Sequence, residues 1–226
     1  MNSTVEATKV VGFGDSITCG AMATGTRNSW LGVVEELFRL FLLAPPRVYN
    51  EGIGDNTISR RTTNYAESSQ PPALERVDSV LAHRPDLVFV CFGLNDMRFG
   101  TPVDIFAEDL DTVIGRLHSG LPTALVLLTN VFYMNGWDRH APRNRGSPDS
   151  ARAYNAAIAK VAANRNVALA DVWSAMGMRD DLIHQDGAHS NDLGHRLIGH
   201  RVFEALATQT DFLSRHGRAS FPSEKC

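Results

Sequence analysis

Five short apolar runs, each followed by a longer amphipathic stretch, dominate the 226-residue sequence: Lys9–Phe13, Arg47–Asn50, Asp86–Phe92, Ala124–Val131 and Asn166–Ala170. Their apolar character is near-continuous rather than alternating, the pattern of strands covered on both faces of a parallel sheet. The stretches between them, Ser29–Leu43, Pro72–His83, Pro102–His118, Pro148–Asn164 and Asn191–Leu206, carry helical periodicity. Thr101-Pro102 and Ser147-Pro148 put proline where a first helical turn tolerates it, and Asn191 is placed to cap the last helix. Repeated strand–helix alternation implies βαβ units with right-handed crossovers and a three-layer α/β/α domain.

Composition narrows the function classes. The chain is 43% hydrophobic and 21% charged, with a formal net charge of −3. A globular domain of this size buries roughly 70–75% of its unfolded-chain surface. Neither a disordered chain nor a dedicated nucleic-acid binder fits these values. The three cysteines, Cys19, Cys91 and Cys226, have no paired spacing and suit a reducing compartment, with Cys91 inside an apolar run. MNSTVEATKV has neither a basic n-region nor an apolar h-region, so a cytoplasmic protein without a membrane span is expected. The apolar Leu37–Leu43 run, at helical spacing, reads as a face packed on the sheet.

Open parallel sheets bind ligands beyond the carboxyl ends of their strands. The polar clusters lie there: Gly14-Asp15-Ser16 after the first run, Gly52-Ile53-Gly54-Asp55-Asn56 after the second, Gly93-Leu94-Asn95-Asp96 after the third and Asp186-Gly187-Ala188-His189 beyond the fifth. Familiar alternatives fail on single positions. Ile17 occupies the third glycine of a dinucleotide fingerprint, Thr26-Arg27 replaces the Lys-Ser/Thr of a phosphate loop, and Thr18 breaks a nucleophile elbow. His184, His189, His195 and His200 cluster in sequence without a zinc-binding arrangement, so no metal or organic cofactor is expected.

A serine, an Asp-x-x-His and two donor-bearing loops are the parts that acyl transfer requires. Each also has a structural use: Ser16 as a helix cap, Asn95 as a turn residue, Asp186 as a turn cap and His189 as a surface histidine. Asp15 and Asp96 read as turn carboxylates bonding backbone N–H groups.

In order along the chain, Phe13-Gly14-Asp15-Ser16-Ile17-Thr18, Gly93-Leu94-Asn95-Asp96 and Asp186-Gly187-Ala188-His189 resemble three blocks of the GDSL/SGNH hydrolase family. That resemblance implies a flavodoxin-like three-layer fold with five parallel strands, spanning 1–226 as one domain with a core of about 9–208 and a tail of 209–226. It implies a serine esterase with Ser16 as nucleophile, His189 as base and Asp186 as its orienting acid. The Ser16 backbone N–H and the Asn95 amide would hold the oxyanion. The second block departs from the family pattern: with Asn50, Gly52, Ile53 and Asn56 aligned, Asp55 stands where the family has a donor glycine. Either Asp55 donates through its backbone or the loop is reset so that Gly54 does. The implied substrates are small-acyl esters, acetyl groups on carbohydrates first. Alternatives are an acyltransferase or thioesterase on the same site, and a non-catalytic binding module that keeps these residues as scaffold. The 133–147 segment carries Tyr133, Trp137, Arg139, Arg143 and Arg145, and reads either as a substrate-recognition flap or as a solvated loop. Oligomeric state is not legible in the sequence.

Overall fold

The computed structural model describes residues 7–68 and 70–217. Five strands form one all-parallel sheet: β1 (Lys9–Gly14), β2 (Arg47–Gly52), β3 (Leu87–Cys91), β4 (Leu125–Thr129) and β5 (Ala168–Ala170), in spatial order β2-β1-β3-β4-β5. The expected three-layer α/β/α architecture is therefore present. Helices α2 (Trp30–Phe41), α7 (Val172–Met176) and α8 (Asp192–Gln209) pack together, as do α3 (Ala73–His83), α5 (Val103–Gly120) and α6 (Pro148–Arg165). Two short helices, α1 (Ser16–Cys19) and α4 (Leu94–Phe99), follow β1 and β3, and α9 (Phe212–His216) follows α8.

β1, β3 and β4 are buried almost throughout, as continuous apolar runs require. β2 departs from that expectation: none of its residues is buried, because it lies at the sheet edge. It carries Arg47, exposed and over the Tyr49 ring, and Glu51, whose carboxylate lies 2.8 Å from His83 Nε2 on α3. At the other edge the Gln209 side chain accepts from the Leu169 N–H at 3.0 Å and donates to the Leu169 carbonyl at 2.9 Å, imitating a neighbouring strand.

Helix starts follow the sequence signals with one shift. Ser147 caps α6 in a capping box with Ser150, Pro148 takes the first helical position, and the Asn191 side chain accepts from the Gly194 N–H. Pro102 instead occupies the cap position of α5, which begins at Val103. α2 buries Trp30, Leu31, Val34 and Phe38 against the sheet and α8, each worth about 1.5–3 kcal/mol of transfer free energy. The Leu37–Leu43 expectation holds only for Phe38 and Leu42; Leu40, Phe41 and Leu43 point to solvent. The core also runs past residue 208: Phe212 is buried against Phe38, so part of the expected tail is packed structure. Cys91 is buried, and burial pushes its thiol up to about 12. Cys226 and the MNSTVE start lie outside the described residues. Among the described residues, no helix is long and apolar enough to cross a membrane.

Candidate active site

The site is assembled where the strands end. β1 runs into Asp15, whose carboxylate accepts from the Ile17 N–H at 2.9 Å and starts the four-residue helix α1. That cap sets Ser16 in the first helical turn. β2 ends against the same helix: a Cβ on Gly52 would stand 2.2 Å from the Cys19 nitrogen, so only glycine permits the approach. The Asn50 amide ties the two together by donating to the Thr18 carbonyl at 2.9 Å.

The Asp186–His189 turn comes from the opposite end of the chain. Ser16 Oγ lies 2.9 Å from His189 Nε2, and His189 Nδ1 lies 2.7 Å from Asp186 Oδ2. The second Asp186 oxygen accepts from the Ala188 N–H at 2.9 Å and from the His189 N–H at 3.1 Å. Burial pushes the Asp186 carboxyl up, but these N–H donors and the His189 ring outweigh it and hold it down to about 2. An ionised Asp186 fixes the proton of neutral His189 on Nδ1 and leaves Nε2 free to accept from Ser16.

Asn95, on α4, is buried and donates one amide hydrogen to the Asn56 carbonyl at 3.0 Å. Asn56 is held in turn, its Oδ1 accepting from Arg76 at 2.7 Å and its Nδ2 donating to the Pro71 carbonyl at 2.6 Å. Asp55 adopts the left-handed conformation with φ +58°. Its carboxylate turns to Arg143, 2.7 Å from Nη2. Gly54 sits with open space where a side chain would be. Asp15 and Asp96 both bond backbone N–H groups as expected, Asp96 through Ile58 at 3.0 Å, although Asp96 lies within α4 and not in a turn. Burial pushes Asp15 up to about 7, against the opposing Ile17 N–H, and Asp96 up to about 6, against the Ile58 N–H and the Thr62 hydroxyl.

The 133–147 segment braces the Asp186–His189 turn. Asn135 and Gly136 donate their N–H groups to the Gly187 carbonyl at 3.2 and 2.8 Å, and His140 Nε2 donates to the Asp186 carbonyl at 3.0 Å. Arg139 is exposed and donates to the Gln185 carbonyl at 3.2 Å. The Tyr133 hydroxyl donates to Asp180 at 3.0 Å, and its ring meets Trp137 edge-on at 6.1 Å. Sequence reasoning does not reach three of these residues: Asn135, Gly136 and His140 carry no motif, and only their position in a long loop marks them.

Of the four histidines clustered in sequence, only His184 and His189 share a neighbour, their Nδ1 atoms lying 3.5 and 2.7 Å from Asp186 Oδ2. His195 is fully buried, donating through Nε2 to the Ala21 carbonyl at 2.9 Å and accepting the Trp30 N–H at 3.3 Å on Nδ1. His184 Nδ1 accepts the Asp186 N–H at 3.3 Å, and His200 is exposed. Among the described residues, no group of three or more His, Cys, Asp or Glu side chains is arranged to hold a metal ion.

The profile of the GDSL-like Lipase/Acylhydrolase family matches residues 13–197, most of the chain. The chain belongs to that family. As a GDSL hydrolase it is a carboxylic ester hydrolase. No curated protein sequence matches it. Solved GDSL structures share its fold. The lipase/acylhydrolase from Enterococcus faecalis is 23% identical, with TM-score 0.74 over 95% of this chain and 100% of that one. Est24, a carbohydrate acetylesterase from Sinorhizobium meliloti, is 16% identical, with TM-score 0.73 over 88% of this chain and 98% of that one. The psychrotrophic esterase EstA from Pseudoalteromonas sp. is 18% identical, with TM-score 0.67 over 88% of this chain and 96% of that one.

Proposed function

We propose that this GDSL hydrolase cleaves small-acyl esters, acetyl esters of carbohydrate-like alcohols first, through a covalent acyl-enzyme on Ser16. The unbroken Ser16–His189–Asp186 chain, with links of 2.9 and 2.7 Å, carries this reading.

In this mechanism His189 Nε2 takes the Ser16 proton as Oγ bonds to the ester carbonyl carbon, and the carbonyl electron pair moves onto oxygen. Asp186 stabilises the imidazolium without accepting its proton. The tetrahedral intermediate collapses, the C–O bond to the alcohol breaks, and His189 returns the proton to the leaving oxygen. Water then gives a proton to His189 as its oxygen bonds to the acyl carbon; the bond from the acyl carbon to Ser16 Oγ breaks, His189 returns the proton to Oγ, and the carboxylic acid leaves. The oxyanion is held by the Ser16 N–H, the Asp55 N–H and the second amide hydrogen of Asn95, the first being engaged with Asn56. The left-handed backbone at Asp55 supports its place as donor in preference to Gly54, and Arg143 draws the carboxylate away from the developing charge.

The acyl preference agrees with what Est24 is named for, a carbohydrate acetylesterase of the same fold. Tyr133 and Trp137 belong, in this reading, to the alcohol-binding side. A serine-reactive phosphonate followed by mass spectrometry tests the nucleophile, with labelling expected on Ser16 and absent in Ser16→Ala. A panel of acetyl, butyryl, octanoyl and acetylated-sugar esters tests the substrate. Fastest turnover on octanoyl esters would overturn the small-acyl assignment.

A further inference from the structure

Helix α4 carries a second polar side chain one turn beyond Asn95. Arg98 lies three residues on, a spacing that puts neighbours on one side of a helix. It is only 5% exposed, and its Nε is sealed from solvent without a hydrogen-bond partner. Among the described residues, no hydrogen bond or ion pair holds its guanidinium. Arg76 shows what a buried arginine does elsewhere in this chain: it bonds Asn56 Oδ1 and the Glu51 carbonyl.

The groups that act on Arg98 from a distance are all at the site. They are Arg143, Asp55, Asp15 and Asp186, contributed by three separate segments and the β1 exit. None of the carboxylates is free to neutralise it. Asp55 is engaged with Arg143, Asp186 with His189, and Asp15 caps α1. Arg143 stands over the Phe99 ring at 5.5 Å, and its Nε is likewise buried without a partner. The 133–147 loop thus lays one guanidinium on the helix that carries the other, with Arg143 over Phe99 and the Arg145 N–H donating to the Arg98 carbonyl at 3.0 Å. A guanidinium presents a planar fork of N–H donors matched to carboxylate and phosphate oxygens.

We propose that Arg98 and Arg143 form a subsite for an anionic group, carboxylate or phosphate, carried by the alcohol portion of the ester. The inference rests on the small-acyl esterase reading, since an acetyl group leaves the alcohol as the part able to bear the charge.

Matched esters test it: 3-acetoxypropionate against 3-acetoxypropionamide, and acetylglycerol phosphate against acetylglycerol. The wild-type chain is expected to favour the charged member of at least one pair by roughly tenfold or more in kcat/KM, mostly through KM. The pair with the larger preference identifies carboxylate or phosphate as the natural group. Arg98→Met and Arg143→Gln should each collapse the preference toward unity. If Arg98→Met does not fold, the exposed edge of Arg143 makes Arg143→Gln the decisive variant. Equal or better turnover of both neutral esters, or a preference that survives both substitutions, overturns the subsite while leaving the esterase reading standing. If no ester is turned over, that reading fails by itself, and inorganic phosphate then probes the subsite directly. Phosphate should raise the melting temperature of the wild type and not of Arg143→Gln; no difference between them overturns the proposal.

Discussion

Gly136 and Gly187 pass each other with room for no side chain on either. A Cβ on Gly187 would stand 2.8 Å from the Gly136 Cα, and one on Gly136 would stand 3.0 Å from the Gly187 Cα. Gly187 also has φ +78°, a conformation that side chains rarely adopt. The close approach lets the 133–147 loop hold the Gly187 carbonyl, midway between Asp186 and His189. Gly187→Ala should therefore displace the acid–base turn and lower kcat by about a hundredfold, the usual consequence of an ångström-scale misplacement. Steady-state kinetics with a circular dichroism control checks this; unchanged kcat in a folded variant would separate the loop from catalysis.

Ser16→Ala removes the attacking oxygen and leaves a methyl group in a nearly buried position. Turnover should fall by roughly 10⁴-fold or more with the thermal melt preserved. Asn95→Ala removes the amide proposed to hold the oxyanion and should cost about 10²–10³ in kcat, with KM changed much less. Retained turnover in either folded variant would contradict the assigned role.

Position 55 makes a sharper test of the second block. Asp55→Gly keeps the backbone N–H and suits φ +58°, so turnover of a neutral ester should stay within severalfold of wild type. Asp55→Val sets a β-branched side chain in the left-handed region and should lower both turnover and stability, the latter by about 1–2 kcal/mol. Loss in Asp55→Gly as large as in Asn95→Ala would assign the work to the carboxylate instead of the N–H.

The buried pair Asp15 and Asp96 gives stability a particular dependence on pH. Their folded values, about 7 and about 6, stand above the ordinary 3.8. Between about pH 4 and 7 the folded chain therefore holds more protons than the unfolded one, and this contribution falls as pH rises. His195, buried and held below its ordinary 6.5, works oppositely and costs stability as pH falls. Asp186, at about 2 when folded, stabilises above about pH 4 and loses that contribution as pH drops toward 2. Comparing melting temperatures of wild type and Asp96→Asn cancels the His195 and Asp186 contributions. The variant should gain on the wild type from about pH 4 to 6 and level off above that; parallel curves would mean that Asp96 is ionised throughout.

Much of this arrangement is legible before any coordinates. Buried parallel strands leave near-continuous apolar runs, and strand ends place Ser16, Asn95 and the Asp186–His189 turn on one rim. Local chemistry also signals the caps at Ser147 and Asn191. What escapes sequence reading depends on contacts made across the fold. The edge position of β2 is set by strand order, to which hydrophobicity is blind. α4 is too short for periodicity to reveal, so the shared side of Asn95 and Arg98 goes unseen. Asp55 at a glycine position looks like a defect until Arg143, 88 positions away, supplies its partner.

The 133–147 loop grips two parts of the site at once, the Asp186–His189 turn through Gly136 and His140, and the Asp55 loop through Arg143. For anyone redesigning this enzyme, the loop is a shared mount for rate and selectivity. On the proposed mechanism, libraries built there to change the alcohol accepted will shift His189 and Asp55 together. Independent tuning has to start from side chains that touch only one of the two, His140 at the Asp186 carbonyl or Arg143 at Asp55.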